Sequence, residues 1–379
     1  MPRKFTRRAF HLGVAALPAA AAESSKYTSA LDGFESKVAM PGFDSQSYSL
    51  MRHARAPLAM TYKGGAVPAW QKKLRAKVTE LIGGFPKDRA PLQPVTLETR
   101  EFANYRREKF VIQSREGMSV LGYLLTPLKA AGPLATMICV PGHGRGVDDI
   151  VGIDDKGKDR TNKDGYQHDF AIQAVEGGMA AVAIEPLGFG CRRDEKARGR
   201  SLGTSSCQPS AGAALLLGET MIAWRVYDVM RTIDWIETRK DLDAKRVGLM
   251  GISGGGTITT FATALEPRIK AAMISGYLNT FKDSILSLSH CIDNYVPGIL
   301  NWCEMYDVAS LIAPRPLYVE SGDKDPIFPV AAARESFARV KKVYDALGAG
   351  ALAQHEVFTG DHFFHGGGGV PFLAKHLKA

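Results

Sequence analysis

Cysteine is scarce in this chain: 379 residues contain five, and their spacing matches no paired pattern of a zinc domain. The sequence therefore predicts no metal site. An odd count leaves at least one thiol free in any compartment. In an oxidising compartment Cys191 could pair with Cys207, or Cys291 with Cys303, and the sequence leaves both pairings open. Cys139 lies within an apolar run and is interpreted as a core residue.

Other absences exclude whole classes of function. No apolar run reaches the roughly 20 residues of a membrane span, so no stable span is expected in the mature protein. No Gly-rich phosphate-binding motif of the form GxxxxGK[ST] occurs. The formal net charge is +9, but no run of basic residues with interleaved aromatics accompanies it, so nucleic acid is not expected as a partner.

The first 22 residues contain no acidic side chain. They combine a basic start, a short apolar stretch and small residues before a plausible cleavage point after Ala22, which is typical of a signal peptide. Arg7 and Arg8, followed by Ala-Phe, resemble the twin-arginine export motif. That resemblance implies a bacterial protein exported folded to the periplasm or secreted, with the twin-arginine machinery as a partner. An ordinary basic N-terminus is the alternative.

The remainder divides by pattern into two parts. Residues 23–105 are predicted to form an accessory or cap segment, with one helix from about Trp70 to Ile82 and a proline-rich connector. Residues 106–379 alternate apolar strands with helices, including one long helix over about 215–239. Such alternation predicts an α/β fold, with a mostly parallel central sheet covered by helices on both faces. An irregular stretch at 282–312 is predicted to be a pocket insertion.

Ser253 lies in the stretch GISGG, between the apolar run RVGLMGI and a helical pattern. A serine on a sharp strand-to-helix turn has strained backbone, and side chains at Gly251 and Gly255 would collide with neighbouring chain. The turn exposes the hydroxyl above the sheet, while the N-terminal N–H groups of the helix face any charge that develops on a carbonyl substrate. The pattern therefore predicts a nucleophile, which needs a base to take its proton.

An acid and a histidine follow in the required order. The stretch ESGDKDPIFP ends one predicted strand, and FTGDHFF ends the last. At this point the chain resembles an α/β-hydrolase, in which nucleophile, acid and histidine occur in that order. The family's acid motif matches Asp325, with Asp323 as the alternative, and its histidine motif matches His362. His365 is interpreted as a pocket or surface residue.

The resemblance also implies an oxyanion hole. One backbone N–H is expected from Gly254, the residue after the nucleophile. The family's His-Gly-x motif matches residues 143–145, which implies the N–H of Arg145 as the second donor. Ser253 would attack an acyl carbonyl with His362 as general base and Asp325 as its support, and water would then hydrolyse the acyl-enzyme. This mechanism requires no metal or organic cofactor.

Within the superfamily, the run EPLGFGCR resembles the branch of dienelactone hydrolases and acetyl xylan esterases. Two departures weaken any transfer of substrate: Gly254 replaces a glutamine of the esterases, and the nucleophile is not cysteine. Glu185 and Arg192 could contact substrate or pair with each other as structural support. Further pocket candidates contribute imidazole or phenol groups: His143, Tyr277 and His290.

The sequence thus predicts an exported serine hydrolase that cleaves carboxylic esters, with a small-molecule or carbohydrate ester as substrate and acetylated carbohydrate as one possibility. A peptidase or amidase of the same fold is one alternative, although such enzymes usually carry a larger extra domain than 80 residues. A catalytically silent binding protein is the other. Substrate identity stays open, because specificity depends on pocket shape rather than on the triad.

Overall fold

A nine-stranded sheet is the centre of the protein in this computed structural model, which describes residues 30, 42, 44–129, 132–163 and 165–378. The predicted signal peptide, residues 1–22, lies outside the described residues. The strands are β1 (Val95–Glu101), β2 (Tyr105–Arg115), β3 (Met118–Pro127), β4 (Leu134–Val140), β5 (Ala180–Ile184), β6 (Leu242–Ile252), β7 (Ile269–Ser275), β8 (Leu317–Gly322) and β9 (Ala353–Phe358).

The strand order is β1-β2-β3-β5-β4-β6-β7-β8-β9. The first four strands in this order pair antiparallel, and the six from β5 to β9 pair parallel. In the tight turn between β2 and β3, Gly117 adopts a φ of +71°, which favours glycine. Because β6, β8 and β9 are parallel, the residues that follow them emerge at one edge of the sheet.

Ten α-helices are described. They are α1 (Ser45–Ala54), α2 (Val67–Leu81), α3 (Phe170–Glu176), α4 (Glu195–Arg198), α5 (Cys207–Leu216), α6 (Met221–Glu237), α7 (Gly254–Leu265), α8 (Met305–Ser310), α9 (Val330–Ala346) and α10 (Gly369–Lys378). No helix among them is both long and apolar enough to cross a membrane.

Alternate side chains of the central strands enter two separate cores. Ile138 and Val140 of β4 pack with α2, α6, α7 and α9, whereas Met137 and Cys139 pack with α3 and α10. This period of two is what a strand buried on both faces requires. The predicted α/β architecture, a mostly parallel sheet with helices on both faces, is therefore confirmed.

The structure differs from the sequence-based expectation at two places. The long helix expected over 215–239 is two helices, because the chain turns through Gly218, where φ is +75°, and α6 restarts with the Thr220 side chain capping the N–H of Ala223. Residues 49–105 are not set apart from the remainder. Strand β1 extends the main sheet, and α2 buries Leu74 and Val78 in the larger of the two cores that flank the sheet.

Residues 49–379 form one compact unit. The boundary expected near residue 105 therefore lies inside this unit. The predicted insertion over 282–312 begins within a π-helical turn, Phe281–Ile285. Two short 3-10 turns, Ile292–Asn294 and Ile299–Asn301, and helix α8 follow.

Candidate active site

Ser253 occupies the tight turn between β6 and α7, with φ +57° and ψ −120°. The positions on either side of the turn, Gly251 and Gly255, have no room for a side chain. A Cβ atom at Gly255 would lie 2.0 Å from the carbonyl oxygen of Val140, and one at Gly251 would lie 2.6 Å from the same oxygen. The predicted collisions at both glycines are thus confirmed. As the first residue of α7, Gly254 has an N–H without an acceptor inside the helix.

His362 and Asp325 meet on the loops that follow β9 and β8. The Nδ1 atom of His362 lies 2.7 Å from Oδ2 of Asp325. The Oδ1 atom of Asp325 accepts the backbone N–H groups of Ile327 (2.8 Å) and Phe328 (3.0 Å), so this buried carboxylate is held by three donors. Among the described residues the buried Nε2 of His362 has no hydrogen-bond partner, which leaves this nitrogen available to a proton donor in the cavity.

The alternative acid, Asp323, lies at a different place. Its Oδ1 accepts the backbone N–H of Gly360 at 2.9 Å, so it ties the loop after β8 to the loop that carries His362. The two loops also pack closely, because a Cβ atom at Gly322 would lie 2.2 Å from the carbonyl oxygen of Asp361. Asp323 therefore stabilises the contact between these two loops and is not the partner of His362.

Glu320, a buried residue of β8, accepts hydrogen bonds from the loop that carries His362. One carboxylate oxygen accepts the hydroxyl of Ser275 (2.7 Å) and the N–H of His365 (2.9 Å), and the other accepts the N–H of Gly366 (2.9 Å). Burial raises the pKa of Glu320 to about 7. Sequence reasoning did not identify this residue, because its role depends on backbone donors more than 40 positions away.

A cavity of about 380 Å³ opens beside Ser253. The rings of Tyr166 and Phe328 stack on His362 with centroids 5.7 and 5.6 Å away, which restricts the orientation of the imidazole. The cavity is lined by residues from five loops: His143, Tyr166, Ser253, Leu288, Ser289, His290, Cys291, Ile327 and His362. Ser253 and His362 thus face one space of the size that small ligands occupy.

The structure corrects one expected oxyanion donor. The backbone N–H of Arg145 donates to Oδ2 of Asp149 at 2.8 Å, so it is already engaged within its own loop. The Arg145 side chain is also occupied there, with Asp149 and the carbonyl oxygen of Ile153 as partners. The loop itself does reach the nucleophile, because a Cβ atom at Gly142 would lie 3.1 Å from Cβ of Ser253.

Three of the five pocket candidates do not line the cavity. The side chain of Arg192 is 4% exposed and pairs with Asp228 at 2.7 Å, and it contacts Glu185 only through the carbonyl oxygen of that residue. Tyr277 is also buried and packs against Phe328, because it follows β7 directly into the core. His143 and His290 do line the cavity, as expected.

Glu185 is enclosed rather than exposed to substrate. Its Oε2 accepts the N–H of Val147 at 3.2 Å, and its Oε1 has no partner among the described residues. Cβ atoms at Gly146 and Gly190 would lie 1.9 and 2.2 Å from Oε1, so both glycines are needed to make room for it. Burial raises the pKa of Glu185 to about 8, which favours the protonated carboxyl at neutral pH.

His143 also contacts a buried polar cluster behind the cavity wall. Its Nε2 lies 3.4 Å from Oδ2 of Asp293 and 3.7 Å from Sγ of Cys207. Burial opposes protonation of His143, but Asp293 outweighs it and raises the pKa of His143 to about 9. Sγ of Cys291 belongs to the same cluster. All five cysteines are unbonded, and neither pairing considered from the sequence is formed.

Two clusters of possible metal ligands occur among the described residues. One is formed by His143, Cys207, Cys291 and Asp293. The other combines Glu320 and Glu356 with His365, but the carboxylate of Glu320 is already saturated by three donors. Neither cluster was identified from the sequence, because the ligands are far apart along the chain.

Comparison with known proteins shows the family of the chain. Residues 51–339 match the abhydrolase family. "Putative hydrolase YtaP" of Bacillus subtilis (strain 168) is 25% identical over 284 residues, which cover 73% of this chain and 88% of that protein.

Two solved structures share the fold. A "putative acetyl xylan esterase" from Bacteroides fragilis superposes with a TM-score of 0.70 at 19% identity, covering 84% of this chain and 83% of its own. A glucuronoyl esterase from Solibacter usitatus superposes with a TM-score of 0.63 at 16% identity, covering 85% and 97%. The fold is that of the α/β-hydrolases, and the chain belongs to the abhydrolase family.

Proposed function

We propose that the protein is an exported serine esterase that cleaves carboxylic esters of carbohydrates through an acyl-enzyme. One observation carries the proposal. The His362–Asp325 pair and the positive-φ Ser253 line or border one cavity, at the edge of the sheet where β6, β8 and β9 end. Membership of a hydrolase family supports the chemistry, since nucleophile, acid and histidine occur in the family's chain order.

In the proposed mechanism Ser253 attacks the ester carbonyl while Nε2 of His362 takes the hydroxyl proton. Asp325 holds the imidazole through Nδ1 and stabilises its protonated form. His362 then donates the proton to the departing alcohol, and the acyl group stays on Ser253. A water molecule, deprotonated by His362, hydrolyses that acyl-enzyme and restores the serine.

The oxyanion would be held by two backbone N–H groups. Gly254 supplies the first, from the free N-terminus of α7. We assign the second to His143 instead of Arg145. His143 lines the cavity, and the preceding Gly142 packs against Ser253. Among the described residues no acceptor engages the backbone N–H of His143.

The substrate class rests on the shape of the site and on the solved structures that resemble it. The cavity mixes apolar Leu288 and Ile327 with the polar side chains of Tyr166, Ser289 and His290, which suits an acyl group attached to a hydroxyl-rich alcohol. The two structures described above are named for acetyl xylan and glucuronoyl esters. Acetylated sugars and uronate esters are therefore the substrates of first choice.

A substrate panel tests the proposal. Purified protein is assayed with acetylated xylo-oligosaccharides, a methyl ester of glucuronic acid, p-nitrophenyl acetate and aminoacyl amides, and Ser253→Ala serves as the blank. We expect ester turnover, with a carbohydrate ester giving the highest kcat/KM. Faster turnover of the amides would replace this proposal with a peptidase or amidase, and no turnover of any substrate would favour a binding protein.

Export is tested separately. Arg7 and Arg8 are changed together to lysine, because the twin-arginine machinery reads the arginine pair rather than the charge. In a bacterial host with that machinery, the wild-type protein should be found in the periplasm or the medium, and the double variant should remain in the cytoplasm. Equal export of both would refute this route, and Lys4→Arg is the control for an unrelated change in the leader.

A further inference from the structure

Four side chains of different segments converge behind the wall of the cavity: His143, Cys207, Cys291 and Asp293. Each offers one ligand atom, and the four atoms all lie within 4.8 Å of one another. Cys207 and Asp293 are 1% and 2% exposed, so this is an enclosed cluster rather than a surface patch. Two of its members, His143 and Cys291, also line the cavity, and only His143 has a role in the proposed hydrolytic mechanism.

The distances between the ligand atoms fit a tetrahedral metal ion. Ligands held about 2.0–2.3 Å from zinc in a tetrahedron lie about 3.3–3.8 Å from one another. The observed values are 3.4 Å from Nε2 of His143 to Oδ2 of Asp293, 3.7 Å from that nitrogen to Sγ of Cys207, and 3.4 Å from that sulfur to the Asp293 oxygen. We propose that these four residues form a structural Zn²⁺ site.

The chemistry of the donors supports the same ion. Two sulfurs, one imidazole nitrogen and one carboxylate oxygen form a ligand set that suits Zn²⁺ better than the oxygen-preferring Mg²⁺ or Ca²⁺.

Charge balance explains an otherwise unusual buried arginine. Two thiolates and one carboxylate leave a net charge of minus one around Zn²⁺, and the cluster contains one further cation. Arg225 is 2% exposed, lies 2.5 Å from Oδ2 of Asp293, and donates to Sγ of Cys207 at 3.3 Å. Arg225 would therefore neutralise the site and orient two of its ligands, as outer partners of metal ligands do.

The position in the fold indicates what the metal would do. His143 is in the loop after β4, Cys207 begins α5, and the other two ligands lie in the 282–312 insertion. One ion would thus tie together three segments around the cavity. Because the protein fills all four positions, the ion would be structural, with no open position for substrate. If the proposed function holds, it would also fix the residue whose N–H completes the oxyanion hole.

The test uses the full-length protein, reduced and freed of metal with a chelator. Zn²⁺ is titrated and measured by elemental analysis after dialysis, and Co²⁺ serves as a spectroscopic probe. We expect one metal ion per chain, a thiolate-to-cobalt charge-transfer band, the visible spectrum of tetrahedral Co²⁺, and a melting temperature that rises with bound Zn²⁺. These readouts do not require any hydrolytic activity, so the site and the proposed function can fail independently.

Variants make the assignment specific. Cys207→Ser and Cys291→Ser should each lose the charge-transfer band or halve it and weaken Zn²⁺ binding at least tenfold, while Cys191→Ser and Cys303→Ser should bind as the wild type does. Circular dichroism of the metal-free proteins shows whether each variant is folded. Sub-stoichiometric binding by the reduced wild-type protein would overturn the proposal. Equal binding by all four variants, or a Cys207–Cys291 disulfide whose reduction yields no metal site, would do the same.

Discussion

The imidazole of His362 is oriented by Asp325, whose Oδ2 lies 2.7 Å from its Nδ1. The other oxygen of this carboxylate accepts two backbone N–H groups, so the acid cannot rotate away without losing both. Nε2 of His362 consequently stays on the cavity side. The pair has the geometry that a serine nucleophile needs from its base and the support of that base.

Asp325→Asn should abolish most of the activity while the fold is kept. An amide at this position no longer stabilises a protonated imidazole and favours the wrong tautomer of His362, so kcat should fall by about 10³–10⁴-fold. The measurement is the steady-state kinetics of ester hydrolysis, with circular dichroism to confirm the fold.

Asp323→Asn is the matched control for that change. The amide oxygen can still accept the N–H of Gly360, so kcat should stay within about tenfold of the wild-type value. A larger loss from Asp323→Asn than from Asp325→Asn would show that the acid has been assigned to the wrong aspartate.

The three residues of the proposed triad can be located from the sequence alone, for a physical reason. Ser253, Asp325 and His362 each follow a strand, and strand ends can be recognised from apolar runs that stop at glycine and polar residues. Parallel strands then bring their carboxyl ends to one edge without any further information. Position along the chain therefore predicts position in space for these three residues.

Gly255→Ala should destabilise the protein, because the added methyl group would lie 2.0 Å from the carbonyl oxygen of Val140. Relief of that overlap requires β4 and α7 to move apart, at a cost of about 1–3 kcal/mol or more in the free energy of unfolding. Urea denaturation followed by circular dichroism measures it.

Gly212→Ala is the control for the same substitution. Gly212 lies inside α5 with open space around the position of a Cβ atom. Alanine should leave stability unchanged or raise it by up to about 1 kcal/mol, since it has the higher helix propensity. If both alanines had the same effect, the close packing described at the turn of Ser253 would be disproved.

Glu185→Gln should change how stability depends on pH. In the folded protein Glu185 keeps its proton up to a pKa of about 8, whereas the unfolded chain releases it near 4.5. As pH rises through this window the unfolded state alone becomes charged, so the wild-type protein loses stability at up to about 1.4 kcal/mol per pH unit. Glutamine cannot titrate, and its amide oxygen can still accept the N–H of Val147.

The measurement is the free energy of unfolding at pH 5, 7 and 9 for both proteins. The stability of Glu185→Gln relative to wild type should rise with pH and level off above about pH 8. Glu116→Gln, on the exposed turn between β2 and β3, removes the same charge and is the control. A relative stability that stays flat for Glu185→Gln would mean that this carboxyl is ionised in the folded protein.

Other features could not be predicted from the sequence, because they depend on single hydrogen bonds or on distant segments. The N–H of Arg145 looks available in a glycine-rich loop, and only the position of Asp149 shows that it is engaged. Cys207 and Cys291 are 84 positions apart, and no spacing rule connects them with His143. Glu185 and Arg192 are close in sequence, yet the carboxylate that pairs with Arg192 comes from Asp228 on α6.

The most direct test of the central claim is the rate of p-nitrophenyl acetate hydrolysis by Ser253→Ala, compared with the wild-type protein at equal concentration. If Ser253 forms the acyl-enzyme, kcat should fall by at least about 10³-fold while the circular dichroism spectrum and melting temperature stay the same. Hydrolysis by the variant at the wild-type rate would contradict the assignment of Ser253 as the nucleophile, and with it the proposed mechanism.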